Sequence, residues 1–406
     1  MTRVAIVGGG ASGFAAAITV ARAGVNFQVT IYERLQKPLK KILATGNGRC
    51  NLSNAHLHPN DYFGDVAFAE YALTRFSPQS NIDFFASVGL LTKTEEMGRV
   101  YPLSGQAASV REALLAEAER LGVRIITDCE IAEIQPKRDG FLLNGRYACD
   151  RLILCAGGSA APKHGTDGSA FRLLEKLSIP VKTPVPALTA LTCANFPKSL
   201  KGVRQTCFVR LLCANQEVYS IQGEVQFTDY GLSGIPIMQL SRLVSAKPNS
   251  KFTVQLDCLP QFSEAELAEF LGKEARRFGE KTAGTLMLGI LPQALGNAIL
   301  LACRVPKDMP CKMLSAKDWR SLAQRIKSFG FQISGVRGFE FAQVTAGGAD
   351  CTAFVPNTMQ SKQYPNVYVC GETLDVDGGC GGYNLQWAWS SGRAAGEAII
   401  KEQSAC

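Results

Sequence analysis

Residues 4–33, VAIVGGGASGFAAAITVARAGVNFQVTIYE, constrain the fold of this chain more than any other stretch. Val4 to Val7 form a short apolar run of the kind buried in a parallel sheet. Gly8, Gly10 and Gly13 then give G-x-G-x-x-G at the point where a strand must turn into a helix. In that context the first glycine permits the tight turn, the second lets a pyrophosphate approach the backbone, and the third lets helix and strand pack closely. The helix N-terminus adds free N–H groups and the positive end of its dipole. A second strand, Gln28 to Tyr32, ends at Glu33, twenty residues past Gly13, where a carboxylate can accept hydrogen bonds from ribose hydroxyls. The stretch predicts a β-α-β unit that binds a dinucleotide. The alternative is a glycine-rich turn without a ligand.

The chain has 406 residues, enough for two or three domains. No apolar run is long enough to span a bilayer, and the first strand begins too early to leave room for a signal peptide, so the cytoplasm is expected. Most of the 14 cysteines sit in apolar runs such as LILCAG (152–157) and VYVCGE (367–372), where they act as small hydrophobes. With no C-x-x-C pair and only three histidines, a metal site is not expected. The net charge of +8 is spread along the chain without an aromatic-interleaved basic stretch. That pattern suits anionic cofactors or small substrates better than nucleic acid.

Further along, residues 107–121 have helical periodicity, and residues 129–150 read as short strands with turns at Asp139-Gly140 and Asn144-Gly145. RLILCAGG (151–158) is a buried strand entering a glycine turn. The proline-rich TPVPALTAL (183–191) reads as a hinge, and residues 192–258 as mostly short alternating strands. Ser263 and Glu266 form a capping box at the head of a helical region. Its apolar part, TLMLGILPQALGNAILLAC, contains Pro292 and reads as packed helices. Another helix follows Ser315, and strand patterns return from about residue 335. VYVCGE is again a buried strand, followed by LDVDGGCGGYNLQ and a helix from about Leu385 to Lys401. A nucleotide-binding unit at each end suggests one discontinuous domain with an insertion between its halves.

Five segments together resemble the two-dinucleotide-binding-domain flavoproteins. They are GGGASG (8–13), KKILATGNGRCNLSN (40–54), GRVYP (98–102), GEVQFTDYGLSG (223–234) and GETLDVDGGCGGYNLQWAWSSGRAAG (371–396). More narrowly, the chain is similar to the bacterial flavoprotein family that includes aminoacetone oxidase-like enzymes and a flavoprotein reductase of bile-acid dehydroxylation. The resemblance implies an α/β fold with FAD held in a Rossmann-like domain built from both chain ends (1–189 and 339–406). It also implies an inserted β-domain (190–260 and 311–338) and a helical lid (261–310). By position, Gly8, Gly10, Ala11, Ser12 and Gly13 are implied to wrap the pyrophosphate, and Glu33 to hold the adenosine ribose. Lys41, Asn47, Gly48, Arg49 and Cys50 are implied to line the path to the flavin, and Ile131 to meet adenine through its backbone. Gly157 and Gly158 form a closing turn. Glu372, after Gly371, stands where an acid meets the ribityl or pyrophosphate group, with Asp375 and Asp377 as unranked alternatives.

At the flavin end, Gly381, Gly382, Tyr383 and Asn384 precede the last helix, which opens near Leu385. Its N-terminus can face the charge of a reduced flavin. Asn47 and Asn51 serve an Asx-turn loop or the flavin equally well. Cys50 and Cys380 read as structural thiols, and no catalytic base is assigned among His56, His58, His164, Tyr101, Tyr230 and Tyr383. The expected activity is hydride transfer between FAD and a small organic substrate. NAD(P)H would act only as a transient donor, since no second complete strand–G-x-G-x-x-G–helix unit is present. An amine oxidase using oxygen, a tRNA-modifying flavoprotein and a flavin-binding sensor are the alternatives. Oligomeric state is not legible.

Overall fold

The computed structural model describes residues 1–405. The chain divides into two compact units, Met1–Pro186 with the return from Ala342 onward, and Ala187–Phe341.

The first unit is built on a seven-stranded sheet in the order 354–355, 360–361, 367–369, 151–154, 2–7, 27–32, 124–126. The last five in that order run parallel, with Ile6 opposite both Ile31 and Ile153. Thr2–Val7 is central and is buried from Val4 to Val7, which explains its unbroken apolar sequence. The first helix, Ala11–Ala21, has no polar face: Phe14, Ala15, Ala16, Ala17 and Ile18 are all sealed from solvent. A helix that is apolar all round must be covered all round.

The cover comes from the other end of the chain. The C-terminal helix, Tyr383–Ala405, lies against the first helix so closely that a Cβ on Gly392 would overlap the carbonyl oxygen of Ser12. One turn on, a Cβ on Gly396 would sit 2.9 Å from Thr19. The C-terminal helix is further fixed by two buried indoles. Trp387 donates to the carbonyl of Gly371 (3.1 Å) and Trp389 to that of Leu52 (3.0 Å). Beside the main sheet, strands 134–137, 140–143 and 147–149 form the expected antiparallel trio.

In the second unit six strands close into a barrel in the order 191–193, 231–233, 216–227, 204–213, 252–257, 329–336. Helices Glu264–Arg277, Ala283–Leu288, Gln293–Ala302 and Ala316–Lys327 share its apolar core. Ser263 forms the expected capping box with Glu266, and Ser315 forms a second one with Asp318. Among the described residues no helix is long and apolar enough to cross a membrane.

The proline-rich segment contains the division between the two units, between Pro186 and Ala187, and its first half belongs to the strand Val181–Ala187 paired with Val344–Ala349. Two expectations change. Residues 192–258 are not mostly short strands. Arg204–Cys213 and Gln216–Phe227 form one long hairpin, turned at Ala214 and Asn215, both with positive φ. A helix, Ile235–Ala246, follows, with proline in its first turn and Ile237, Leu240 and Val244 buried at helical spacing. Finally, the returning strand begins at Phe329, six residues before the expected point, since its first residues pair with Phe252–Leu256 while Ile333–Val336 close the barrel on Leu191–Cys193.

The packing of the two glycine-faced helices generates a test. Gly392→Ala should cost about 1–3 kcal/mol by overpacking against the first helix. Chemical denaturation should show a lowered midpoint with the same slope; an unchanged midpoint would mean the two helices separate freely.

Candidate functional site

The glycine turn sits at the C-terminal edge of the parallel sheet, between Val7 and the first helix. Its three glycines differ in what surrounds them. A Cβ on Gly8 would lie 2.6 Å from the carbonyl oxygen of Cys155, and one on Gly13 would overlap the carbonyl oxygen of Gly8. Both positions are set by protein packing. Gly10, by contrast, has no protein atom within 4 Å of where its Cβ would be. The space beside it is open at the N-terminus of an 11-residue helix whose cap carries no side-chain bond. That is the arrangement a pyrophosphate needs. Ala11 and Ser12 form the first turn, and the Ser12 side chain faces Gly371, where a Cβ would come within 2.5 Å of its hydroxyl.

Glu33 is buried and ties the turn to the second strand. One carboxyl oxygen accepts from the N–H of Gly9 (2.8 Å), the other from the N–H of Leu35 (2.8 Å). A carboxylate offers about four lone-pair directions, so capacity for hydroxyl donors remains. The backbone of Glu33 also accepts from Cys129 N–H (2.9 Å), which brings the 129–133 segment alongside. Asn144 pins that segment by accepting from the N–H groups of Ala132 and Glu133 and donating to the carbonyl of Glu130. Ile131 is buried within it.

The second glycine turn, Gly157-Gly158, leaves the neighbouring strand Arg151–Leu154. The carbonyl of Gly157 accepts from Thr373 (3.2 Å). The hydroxyl of Thr345 accepts from the N–H groups of Ser159 and Ala160. Glu372 closes this cluster: it accepts from Thr345 N–H (2.9 Å) and from Lys41 Nζ (2.7 Å), and lies 2.9 Å from where a Gly158 Cβ would be. The three acids left unranked by sequence are thereby separated. Glu372 stands at the glycine turn. Asp375 is buried and committed to Lys182 (2.9 Å) and to the N–H of Gly347 (3.2 Å). Asp377 is buried in a short strand paired with Tyr62–Gly64.

At the head of the C-terminal helix, Gly382 has φ +102°, and a Cβ there would overlap the carbonyl oxygen of Ser53. Asn54 donates to the carbonyl of Gly381 (3.0 Å). The 51–54 loop therefore lies directly against this helix start. Asn51 Oδ1, on that loop, is enclosed without a hydrogen-bond donor. Asn384 turns inward, accepting from Gly378 N–H and donating to its carbonyl. Leu385 packs on the core.

The remaining expected residues lie on the loop that leads into Asn51, where a Cβ on Gly46 would come within 2.9 Å of the Asn51 backbone nitrogen. Asn47 and Gly48 are exposed. Arg49 pairs with Glu95 (2.6 Å) and covers the ring of Tyr101 at 4.0 Å. Cys50 is fully buried, and burial pushes its thiol up to about 12; Cys380 is likewise pushed up to about 11. Neither is a thiolate at neutral pH. His58 caps a short turn by accepting from Asn60 N–H. Sequence reading missed Thr345, which organises the second glycine turn from a strand, VTAGGA, that carries no motif. Among the described residues no group of acids, histidines and cysteines is placed to hold a metal.

The open face at Gly10, the carboxylate capacity at Glu33 and the orphaned Asn51 oxygen fit a long dinucleotide cofactor. Comparison with known proteins agrees. The chain belongs to the family described as HI0933-like protein Rossmann domain, whose pattern matches residues 2–398. It is 37% identical over 408 residues to the 3-dehydro-bile acid delta(4,6)-reductase of Clostridium scindens, covering 99% of this chain and 100% of that one. It is 28% identical to the ribosomal RNA dihydrouridine synthase of Haemophilus influenzae, over 98% of each. The 3-ketosteroid delta1-dehydrogenase from Sterolibacterium denitrificans shares the fold, with a TM-score of 0.51 and 12% identity, over 99% of this chain and 100% of that one.

The unequal surroundings of the glycines give a clean test. Gly10→Ala should leave thermal stability nearly unchanged and lower flavin retention. Gly13→Ala should lower the melting temperature whether or not flavin is present, because its methyl group strikes backbone. Equal effects of both on stability would contradict the assignment of Gly10 to a ligand.

Proposed function

We propose that this chain, an FAD-dependent oxidoreductase of the HI0933-like family, saturates a carbon–carbon double bond conjugated to a carbonyl in a small organic substrate, with NAD(P)H as the electron donor. The observation that carries this reading is full-length similarity, at 37% identity, to a reductase whose named substrate is a dienone. The dihydrouridine synthase relative supports the same chemistry, since dihydrouridine differs from uridine by two hydrogens across such a bond.

The protein's part is to bind, orient and polarise. Gly10 and the first turn of the first helix receive the pyrophosphate, Glu33 the ribose and the Ile131 backbone the adenine. The backbone N–H groups after Gly382 and the free Asn51 oxygen meet the isoalloxazine edge, donors beside an acceptor. FAD bound there supplies the hydride. The reducing cytoplasm suits a chain in which the described cysteines are free thiols.

A second reading, a uridine in RNA as substrate, is favoured by the 28% identical relative, and the net charge of +8 is compatible with it. One experiment separates these. The yellow protein is mixed anaerobically with NADH or NADPH, bleaching is followed, and an enone, unmodified ribosomal RNA or oxygen is then admitted. Rapid bleaching with reoxidation by the enone is expected. Reoxidation by RNA alone would favour the second reading. Bleaching by an amine but by neither nicotinamide, with fast reoxidation by oxygen, would sink both.

A further inference from the structure

We infer that His164, with Lys40 and Lys163, forms a phosphate-binding cluster that holds the pyrophosphate of FAD. The inference rests on FAD being the resident cofactor, as proposed above.

The 157–168 loop is anchored, so His164 is placed rather than loosely draped. Asp167 pairs with Arg34 at 2.6 Å, and a Cβ on Gly165 would meet the Leu35 side chain at 2.9 Å. The Thr166 hydroxyl donates to the carbonyl of Ala160. Pro162–His164 is a short 3-10 turn entered through Ala161 at φ 58° and left through Gly165 at φ 103°. The loop therefore packs on the 34–41 segment. That segment in turn touches the first glycine turn, where Leu39 N–H donates to the carbonyl of Gly9 (2.8 Å). Lys40 and Lys41 follow directly.

Within this arrangement His164 Nδ1 is enclosed and has no hydrogen-bond partner. An enclosed ring nitrogen left unpaired is costly, and a ligand oxygen relieves it. The charges around it are one-sided. Lys163 comes from its own loop, and Lys40 and Lys41 from the 34–41 segment. Glu372 neutralises only Lys41, and Asp167 is taken by Arg34. Among the described residues no carboxylate pairs with Lys40 or Lys163. Burial first, then the lysines, holds His164 below the ordinary imidazole value. What the cluster lacks is an anion, and the open face beside Gly10 is where the pyrophosphate arrives.

A phosphate oxygen favours imidazolium, so FAD binding raises the His164 value and takes up a proton. Affinity is then full below the free-protein value and falls as pH rises through the value in the complex; the lysines keep their charge throughout. The test uses the full chain stripped of flavin and titrated with FAD from pH 5.5 to 8.5, following quenching of flavin fluorescence. In the native protein Kd should weaken several-fold as pH rises. His164→Gln should weaken binding about tenfold at the acid end and flatten the profile. Lys163→Met should weaken binding but keep a pH dependence, which guards against a His164 variant that fails to fold. An unchanged Kd and profile in His164→Gln overturns the inference. So does an unchanged FAD Kd with slowed bleaching by NADPH, which gives the cluster to the incoming nucleotide. If the native protein takes up no FAD, the functional reading itself fails.

Discussion

The first helix can exist only if two backbones come closer to it than side chains ordinarily allow. Gly13 lets it press on the turn that precedes it, and Gly392 and Gly396 let the C-terminal helix lie on the face formed by Ser12, Ala16 and Thr19. A helix of alanine, isoleucine and phenylalanine with no polar stripe is unstable in water and must be sealed. The seal fixes the direction of the first helix, hence where its N-terminus points. It also carries Gly371 to Ser12 and Gly382 to the 51–54 loop. The geometry of the proposed cofactor site is in this sense a by-product of hydrophobic burial: its two ends, at Gly10 and at Gly382, are set by one helix–helix contact.

Sequence disclosed what neighbours in the chain decide. The β-α-β unit, its acid at Glu33 and the capping box at Ser263 all depend on spacings under about two dozen residues, and local chemistry is enough to read them. It did not disclose what distant partners decide. Glu372, Asp375 and Asp377 look alike in GETLDVDGG, and only Lys41, Lys182 and the strand at Tyr62–Gly64 tell them apart. The ion pair between Arg49 and Glu95, 46 residues later, is equally invisible to local sequence. The start of the barrel's returning strand is hidden for the same reason, because pairing with Phe252–Leu256, more than 70 residues earlier, makes Phe329–Gln332 a strand. The helix at Ile235–Ala246 is different: its apolar spacing was present and was overridden by the strand pattern on either side.

Charge is arranged economically around the glycine turns. Glu33 and Glu372 each use part of their bonding capacity to hold backbone N–H groups, and Lys41 is matched by Glu372. These carboxylates and Lys41 are thus satisfied within the protein, while Asn51 Oδ1 and His164 Nδ1 are among the enclosed atoms without a partner. Buried groups without partners are costly, and where they persist in an otherwise satisfied network they mark places shaped for something else.

The sheet itself has a consequence for how the chain comes into being. Its central strand Arg151–Leu154 has Thr2–Val7 on one side and Val367–Val369 on the other, more than 200 residues further on. A ribosome releases the two strands far apart in time, so the nascent first unit waits with an unpaired parallel edge and an uncovered apolar helix while the barrel is made. The barrel can close as a unit meanwhile. Only when Val367–Val369 and the helix Tyr383–Ala405 have been made does the edge find its partner and the first helix its cover. Damage to these late segments would therefore strike the earliest-made part of the molecule.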